Sequence, residues 1–419
     1  MEEKTQTSIF ILGAGFGGLA AALALERRLR SDPSVSITLV DREPYHLYTP
    51  LLYEICTGYA KHDTKAWERA LEHGSEAAIR KILAGKKIHF IRDTIEHVDC
   101  AGRLVHLKVE GEKSFDYAIL ALGSQSFDFG IPGVKTYALK LKTMRDALRI
   151  RRKVVELVES ITDARGKKTI IVGGGGYTGV ELATELYGQT QKLLREKKLP
   201  PGALQLLIVE AANAILPGLS LRATNAARVR LARLGIQLKM NHRITDVKVD
   251  HILIDGQQTI PCDLFIWTGG VLCSEVEEIM GTCKMDTKKR MMVNEFLQVN
   301  GHEQIFAIGD NACMMDPEAK KPVPMLAQLA HKEGERAAYN LAQHFYGKLL
   351  RPFSPRVSGV VVPLGGKYAV AQVGKIVLTG FVGWTVKKIV DLRYFLTILP
   401  VRKAIGLWFR GAREYAKND

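Results

Sequence analysis

Residues 8–29, "SIFILGAGFGGLAAALALERRL", decide how the chain begins to fold. The apolar run Ile9–Leu12 predicts a buried strand, and the Ala- and Leu-rich stretch after it predicts a helix. Three glycines separate the two: Gly13, Gly15 and Gly18. In this spacing the first glycine permits a tight turn, the second lets the backbone approach a pyrophosphate, and the third lets helix and strand pack closely. The next strand, "VSITLVD", ends in Asp41, a carboxylate that can bind ribose hydroxyls, so these features predict a dinucleotide-binding unit.

The same pattern occurs a second time at residues 167–186, "KKTIIVGGGGYTGVELATEL". A strand is predicted at Thr169–Val172, and its glycines are Gly174, Gly176 and Gly179. The later strand "LQLLIVEAAN" contains Glu210 at the position of the acidic residue. Because Ala-Ala-Asn follows it instead of an Arg, this unit is predicted to prefer a free 2′-hydroxyl, and therefore NADH over NADPH.

Each unit is followed by an apolar strand that ends in a turn of small residues. The first is "SFDYAILALGS", with Ala121 and Gly123, and the second is "PCDLFIWTGGV", with Thr268 and Gly269. Either strand alone fits an ordinary core strand, but their parallel placement predicts a crossover between domains. A third such strand, "HEQIFAIGDNACMM", ends in Gly-Asp at Asp310.

Composition places the chain in the globular range and gives it a strong positive charge. It has 419 residues, 47% of them hydrophobic and 25% charged, which predicts two or three domains. The net charge of +15 calls for an anionic partner: nucleic acid, an anionic lipid surface or a phosphate-bearing ligand. No zinc-finger spacing or aromatic RNA-binding motif is present, so we expect no nucleic-acid partner.

The six cysteines show no CxxC or CxxxxC spacing, so the sequence predicts neither a metal site nor a redox-active dithiol. They are Cys56, Cys100, Cys262, Cys273, Cys283 and Cys313. This usage is typical of a reducing, intracellular compartment. The acidic start "MEEKTQTSIFILGAG" predicts no secretion signal. The charge-free stretch Ile376–Val386 falls well short of the roughly 20 residues needed to span a bilayer, so we expect no transmembrane helix.

The order GAGFGG, LALGS, GGGGYTGVE, WTGGV, FAIGD resembles the flavoproteins with two dinucleotide-binding domains. The resemblance implies an α/β fold with two Rossmann-like domains, in which an NADH domain at 136–285 is inserted into an FAD domain. The FAD domain would then consist of two segments, 1–135 and 286–355, and a C-terminal quinone-site and membrane-association region would follow at 356–419. FAD would be bound non-covalently, and Asp310 would bind its ribityl and pyrophosphate part.

Within that superfamily, disulfide reductases need a CxxxxC or CxxC that this chain lacks. Sulfide:quinone reductases need a cysteine relay, and Cys313 beside the Gly-Asp turn is a single thiol that fits a core position better. From about residue 8 to 415 the chain resembles the type II, non-pumping NADH:quinone oxidoreductases. That resemblance implies hydride transfer from NADH to FAD, then two-electron transfer to a membrane quinone, ubiquinone or menaquinone.

The resemblance also assigns residues to the cofactors. The segment "EPYHLYTPLLYEICTGYA", with Pro50 and Leu51, is similar to the stretch that lines the flavin. "PVPMLAQLAHKEG" is similar to the AQxAxQ motif, which places Ala327 at the flavin and Gln328 at both the flavin and the quinone, although Lys332 replaces the second Gln. Within it His331 is a candidate proton donor by its ordinary pKa, although a lone histidine is more often structural.

Two further charged groups are implied to be catalytic. "WTVKKIVDLRYFLTILP" is similar to the C-terminal region of the family, with Lys387 at the flavin side and Val390 lining the quinone pocket. Glu181, after "YTGV", stands at the start of a predicted helix, where a carboxylate gains from the helix dipole alone. The resemblance assigns it to the nicotinamide and flavin side as a group that transfers protons.

The last segment, residues 400–417, "PVRKAIGLWFRGAREYAK", carries five cations and no obvious catalytic group. On a helical projection the apolar residues gather on one face: Val401, Ala404, Ile405, Trp408, Ala412, Tyr415 and Ala416. The cations gather opposite: Arg402, Lys403, Arg410, Arg413 and Lys417. This pattern is typical of an amphipathic helix lying in an anionic membrane surface with Trp408 as its anchor, which predicts a peripheral protein at the cytoplasmic face of the cell membrane.

Alternatives stay open for the tail and for the function. The tail could pack on its own domain, or form a homodimer contact. The chain could be a flavoprotein that binds NADH and acts through partners, as relatives of apoptosis-inducing factor do. It could also be an enzyme similar to the sulfide:quinone reductases, or an NADH oxidase that reduces oxygen.

Overall fold

The computed structural model describes residues 6–57, 76–162, 167–273, 284–318 and 320–415. Helices in this region of the chain are numbered in chain order: α1 Phe16–Leu29, α2 Leu52–Thr57, α3 Ile79–Ile82, α4 Val134–Tyr137, α5 Met144–Glu159, α6 Tyr177–Glu196, α7 Leu221–Arg233, α8 Ala327–Phe345, α9 Phe381–Ile398 and α10 Val401–Tyr415. Short 3₁₀ turns are Thr49–Leu51, Pro201–Ala203 and Gly309–Asn311. The described residues divide into two compact units.

The first unit contains the described residues of 1–47, 76–125 and 271–357. Its main sheet has six strands, in the spatial order Gln298–Val299, His302–Ala307, Tyr117–Leu120, Thr7–Leu12, Val35–Asp41 and His89–Arg92. All neighbours are parallel except the first pair, and Ile9 lies opposite both Ile37 and Tyr117. Parallel strands joined by helices put the carboxyl ends of the strands at one edge, where dinucleotides bind.

Three smaller sheets complete the first unit. They are the antiparallel set Ile95–Asp99, Leu104–Leu107 and Gly111–Ser114, the antiparallel pair Tyr45–Leu47 with Glu76–Ala78, and the parallel pair Met291–Met292 with Ala312–Cys313. Helix α8 packs along α1. A Cβ at Gly334 would overlap the carbonyl oxygen of Gly17, so the absence of a side chain there is what allows the close approach of the two helices.

The second unit contains the described residues of 48–75, 126–270 and 358–419. Its parallel sheet has five strands, in the order Leu139–Lys140, Leu264–Trp267, Lys168–Gly173, Leu204–Glu210 and Gln237–Met240. Two antiparallel sheets accompany it: Ile244–Val247, His251–Ile254 and Gln258–Pro261, and Val360–Pro363, Ala369–Val373 and Ile376–Gly380. Two further short strands, outside these sheets, lie where the chain changes unit: Gln125–Ser126 and Val271–Leu272.

The strands predicted before each glycine motif are present and slightly longer than expected. They run from Thr7 to Leu12 and from Lys168 to Gly173, with their last four residues buried. The predicted domain boundaries are placed by the order of the motifs along the chain, whereas the two compact units are defined by which residues pack together. Because α2 packs against α5 and α6, residues 48–57 group with the second unit.

The C-terminal region forms two helices, α9 and α10, which Pro400 separates. The predicted apolar face of α10 is divided between two environments: Ala404 is buried, together with Leu407, whereas Val401 and Ile405 are exposed. The Trp408 indole N–H donates to the carbonyl oxygen of Lys388 at 2.9 Å, which fastens α10 to α9. The tail therefore packs on its own unit with one face and leaves a second apolar face exposed.

Within that tail, Ala416 and Lys417 lie outside the described residues, and the side chains of Arg410, Ala412, Arg413 and Tyr415 are likewise outside the description. None of the helices in the described ranges is both long enough and apolar enough to cross a bilayer.

Candidate functional site

The first glycine turn is fixed by close packing in the first unit. Gly13 has a φ of 104°, and a Cβ there would overlap the Ala121 carbonyl group. A Cβ at Gly18 would overlap the carbonyl oxygen of Gly13. At Gly15, the N-cap of α1, a Cβ would meet no atom within 4 Å, and no side chain caps the helix. The turn therefore leaves open space in front of the first N–H groups of α1, which suits a phosphate group.

Asp41 is held against this turn by two backbone groups. Its Oδ2 accepts from the N–H of Ala14 at 2.6 Å, and its Oδ1 accepts from the N–H of Glu43 at 2.8 Å. Burial raises the pKa of Asp41, while these two hydrogen bonds oppose the rise. A carboxylate at the end of the second strand and beside an uncapped helix start fits the adenosine half of a dinucleotide.

Three hydrogen bonds hold the Gly-Asp turn at residues 309–311. The N–H of Gly309 donates to Glu333 Oε2 at 2.5 Å, and the hydroxyl of Ser124 donates to Asp310 Oδ2 at 2.5 Å. Gly123 N–H donates to Asn311 Oδ1 at 2.7 Å. The predicted residues Gly123 and Asp310 are thus brought together at one edge of the main sheet.

The predicted quinone residues of the first unit stand at the start of α8. Ala327 and Gln328 are its first two residues and are half-buried. His331 lies one turn further, with its Nε2 3.9 Å from a Glu335 carboxylate oxygen, and burial lowers its pKa. Lys332, the departure from the family motif, donates from Nζ to the Arg356 carbonyl oxygen at 2.7 Å. Its ammonium group therefore ties α8 to the segment of chain around Arg356.

Cys313 fits the core role expected for it. It is buried, burial raises its pKa, and its sulfur accepts from Arg290 Nη2 at 3.6 Å. A buried thiol with a raised pKa is a poor nucleophile.

The second glycine turn, in the second unit, repeats the first. Gly174 has a φ of 115°, and a Cβ at Gly179 would overlap the carbonyl oxygen of Gly174. The Thr268 hydroxyl donates to the Gly173 carbonyl oxygen at 3.0 Å, and a Cβ at Gly269 would clash with the Trp267 ring. Gly176, the N-cap of α6, has open space where a Cβ would lie and no side-chain cap.

Glu210 takes the position that Asp41 holds in the first unit. Its Oε2 accepts from the N–H of Gly175 at 2.5 Å and its Oε1 from the N–H of Ala212 at 2.7 Å. Both turns therefore carry a strand-end carboxylate bound to the residue after the first glycine. This repetition fits two separate dinucleotides, one in each unit.

A buried group of charges lies in the second unit around Lys387, which is 5% exposed. Its Nζ lies 2.8 Å from Glu54 Oε1 and 2.8 Å from Asp391 Oδ2. The Tyr48 hydroxyl donates to Asp391 Oδ1 at 2.9 Å. Burial alone would lower the pKa of Lys387, but the charges of Asp391 and Glu54 outweigh it and raise that pKa, so the ammonium stays charged.

Glu54 is the least satisfied member of this group. Burial raises its pKa, but the charges of Lys387 and Lys388 and the hydrogen bonds from Lys387 and Tyr53 together outweigh burial and lower the pKa overall, so the carboxylate is ionised. Its Oε2 atom is buried and has no hydrogen-bond partner among the described residues. Such an oxygen is costly to bury, which is typical of a functional site.

Glu181 is the fifth residue of α6 and half-buried, one turn further into the helix than the sequence suggested. Burial raises its pKa to about 8, with Glu54, Glu185 and Asp391 adding to the rise and Lys387 opposing it. The carboxyl is therefore mostly protonated at neutral pH. A carboxyl whose pKa lies near the working pH can both give and accept a proton.

The remaining predicted residues differ in exposure. Leu51 is buried and Pro50 half-buried, whereas Val390 stands exposed on α9. The described region of the chain contains no group of three or more His, Cys, Asp or Glu side chains able to hold a metal ion.

Sequence reasoning missed several residues of these sites. Asp391 could have been found from the sequence, because it follows Lys387 at the (i, i+4) spacing of a helical ion pair. Asn311 could also have been found, because it directly follows Gly309 and Asp310. Glu54 gave no signal, because 333 residues separate it from Lys387. His46, also missed, is buried with Nδ1 2.9 Å from the Ala14 carbonyl oxygen, and burial lowers its pKa to about 4.

Comparisons with known proteins agree with this architecture. The family model for pyridine nucleotide-disulphide oxidoreductases matches residues 7–334. The type II NADH:quinone oxidoreductase of Haemophilus influenzae is 29% identical over 390 residues, which cover 85% of this chain and 85% of that protein.

Two solved structures share the fold. A structure of NDH2 from Plasmodium falciparum in complex with NADH has a TM-score of 0.83 at 20% identity, covering 98% of this chain and 99% of that one. The sulfide:quinone oxidoreductase of Aquifex aeolicus has a TM-score of 0.76 at 18% identity, covering 95% and 92%. The chain belongs to the pyridine nucleotide-disulphide oxidoreductase family, and the curated relatives that it matches include type II NADH:quinone oxidoreductases, as the resemblance predicted.

Proposed function

We propose that this chain is an FAD-dependent enzyme that oxidises NADH and reduces a membrane quinone, without pumping protons. The observation that carries the proposal is the pair of glycine turns, each with its own strand-end carboxylate, Asp41 and Glu210. One site suits a resident dinucleotide and the other a dinucleotide substrate. The curated relatives named type II NADH:quinone oxidoreductase support the choice of NADH and quinone.

FAD would be held non-covalently in the first unit. The uncapped start of α1 and the open space at Gly15 suit its pyrophosphate, and Asp41 suits its adenosine ribose. Asp310, fixed by Ser124, would hold the ribityl part, as the resemblance implies. When bound, FAD accepts a hydride from NADH and gives two electrons to a quinone.

NADH would bind in the second unit. The start of α6 at Gly176 would hold the pyrophosphate, and Glu210 would bind the adenosine ribose. Both Glu210 oxygens already accept backbone N–H groups, which fixes a negative charge where a 2′-phosphate would have to lie. That charge favours NADH over NADPH.

Glu181 and Lys387 have different roles because their protonation differs. Glu181, with a pKa raised to about 8 by burial, holds a proton at neutral pH that it can release and recover. Lys387, whose pKa the neighbouring carboxylates raise, keeps its charge and therefore supplies a fixed positive field.

The proposal is tested by anaerobic mixing. NADH should bleach the visible flavin absorption of the purified protein, and a short-chain quinone added afterwards should restore it without oxygen. Slow bleaching with a persistent charge-transfer band would instead favour an NADH-binding flavoprotein that acts through partners. Recovery with oxygen but not with quinone would favour an NADH oxidase.

Gln328, His331 and Val390 are proposed for the quinone on the strength of the resemblance. Gln328→Ala should raise the quinone KM or lower quinone turnover by about fivefold to tenfold, the equivalent of one lost hydrogen bond. Bleaching by NADH should stay fast. The matched control is Gln343→Ala, near the other end of the same helix, which should change neither half-reaction. Slow bleaching in Gln328→Ala would show that the residue serves NADH instead.

We propose that the second unit docks on an anionic lipid surface at the cytoplasmic face of the membrane. Three exposed apolar residues, Val401, Ile405 and Phe409, form one stripe along α10, which we call the tail stripe. Exposed Arg402 and Lys403 adjoin it, and Trp384–Asp419 contains eight cations and three anions. An apolar stripe flanked by cations is the pattern of a helix in the interface plane.

The double substitution Ile405→Ser and Phe409→Ser should weaken binding to anionic vesicles at low salt by about tenfold or more, because burial of two such side chains contributes about 2 kcal/mol or more. Co-sedimentation measures it, and deletion of 400–419 should also release the protein. The control pair Leu221→Ser and Val229→Ser, exposed on α7, should bind like the unmodified protein. Unchanged sedimentation of the tail variant, or loss of a homodimer in its place, would contradict lipid docking.

A further inference from the structure

The carboxyl group of Glu333 is buried against the Gly-Asp turn and has not entered the proposed mechanism. Glu333 is 4% exposed, and its Oε2 accepts from the N–H of Gly309 at 2.5 Å. Gly309 has a φ of 66°, a left-handed conformation that costs a non-glycine residue about 1 kcal/mol or more. The turn therefore adopts an unusual backbone shape, and a buried side chain holds its first N–H group.

The packing of α8 on α1 fixes the position of Glu333. Its neighbour Gly334 lets α8 approach the backbone of α1 at Gly17, where any Cβ would overlap a carbonyl oxygen. Glu333 therefore links α8, which packs along α1, to Gly309, the residue before Asp310. It is this packing that fixes the position of the Glu333 backbone.

The charges around Glu333 indicate that this residue does more than stabilise the fold. Burial raises the pKa of Glu333 to about 7, with Asp310 adding to the rise, while the Gly309 hydrogen bond and the charge of Arg290 oppose it. A buried carboxyl beside a second carboxylate is costly to keep. An apolar residue would fill the same space at lower cost, so the hydrogen-bond acceptor is the property that the position requires.

We propose that Glu333 is a positioning residue for FAD, whose acceptor oxygen fixes the Gly309 peptide so that Asp310 stays aligned for the ribityl part of the cofactor. The inference rests on the proposed function, since it requires FAD in the first unit. The Ser124 hydroxyl donates to Asp310 and the Gly123 N–H donates to Asn311, and Glu333 is the side chain that binds the N–H of the first turn residue, Gly309, among the described residues. Loss of that hydrogen bond frees the N–H of the Ile308–Gly309 peptide, through which the chain enters the turn that carries Asp310.

The test compares variants of Glu333 whose side chain keeps an oxygen that accepts a hydrogen bond with variants of similar size that have no such oxygen. Glu333→Gln keeps a side-chain oxygen that can accept from the Gly309 N–H. The Kd for FAD is measured from the FAD released when the full-length holoprotein is diluted, and in this variant it should lie within about threefold of the value for the unmodified protein. Glu333→Leu should raise that Kd by about tenfold, the equivalent of one buried N–H left without its acceptor. Glu333→Met is a second acceptor-free variant if Glu333→Leu does not fold. Glu335→Leu, exposed on the same helix, is the control.

Binding of NADH separates positioning from general damage. Its affinity for the second unit should be the same in all four variants, and melting temperatures of the flavin-free proteins should agree within a few degrees. An unchanged FAD Kd in Glu333→Leu and Glu333→Met, or equal weakening in Glu333→Gln, would overturn the inference. If the unmodified protein itself retains no FAD, the proposed function fails instead.

Discussion

Replacement of Lys387 by methionine should lower the free energy of unfolding by about 3 to 5 kcal/mol, the usual cost of removing one partner of a buried ion pair. Lys387 compensates Glu54 and Asp391, both less than a tenth exposed, so the variant would leave two carboxylates facing each other in the interior. Methionine fills a similar volume, so little of the loss would come from a cavity. Urea unfolding of the FAD-loaded protein, followed by circular dichroism, measures the difference.

Two companion variants identify the cause. Lys388→Met removes a half-buried ammonium that lies 3.9 Å from Glu54 Oε1, and it should cost about 1 kcal/mol or less. Adding Glu54→Gln and Asp391→Asn to Lys387→Met should recover much of the lost stability, because the uncompensated charges disappear. A loss below about 1 kcal/mol in Lys387→Met would show that the charge group does not stabilise the fold as described.

Glu181→Gln should slow quinone-dependent NADH turnover by about a hundredfold or more while FAD content stays the same, because a group that transfers a proton is worth about 10² to 10⁴ in rate. Glutamine keeps the size and the hydrogen-bonding capacity of the protonated acid but cannot give up the proton. The control is Glu185→Gln, one turn further along α6 and buried. An unaffected rate in Glu181→Gln would remove the residue from the mechanism.

The pH dependence of turnover is a second test of proton transfer by Glu181. Its pKa, raised to about 8 by burial, predicts that activity which needs the protonated acid falls as the pH rises through about 8. This limb of the profile should be absent in Glu181→Gln. Because the carboxyl binds its proton more tightly in the folded than in the unfolded chain, its contribution to stability is present below the ordinary glutamate pKa of 4.5 and is lost as the pH rises towards 8.

The features of the fold that the sequence predicts well are local. Gly13, Gly174, Asp41 and Glu210 could be read because a strand, a turn and a helix that follow one another must place them together. The recognition of the family and of its FAD and NADH cofactors is confirmed by the comparisons. The roles of individual residues such as Gln328 and Lys387 stay predictions for the experiments above.

The features that the sequence could not predict depend on tertiary packing. Glu54 meets Lys387 only because distant segments pack together, and nothing near either residue signals the other. The helical projection grouped Ala404 with Ile405, but periodicity does not say which side of an apolar face meets the protein. The structure buries Ala404 and exposes Ile405, so the tail is both a packed helix and a surface stripe.

Electron transfer from NADH through FAD to a quinone is tested by steady-state oxidation of NADH, with and without a short-chain quinone, on protein whose released cofactor has been identified. We expect FAD as the released cofactor, NADH oxidation that depends on the quinone, and one quinone reduced for each NADH. Equal rates with and without quinone, or release of FMN instead of FAD, would contradict this expectation.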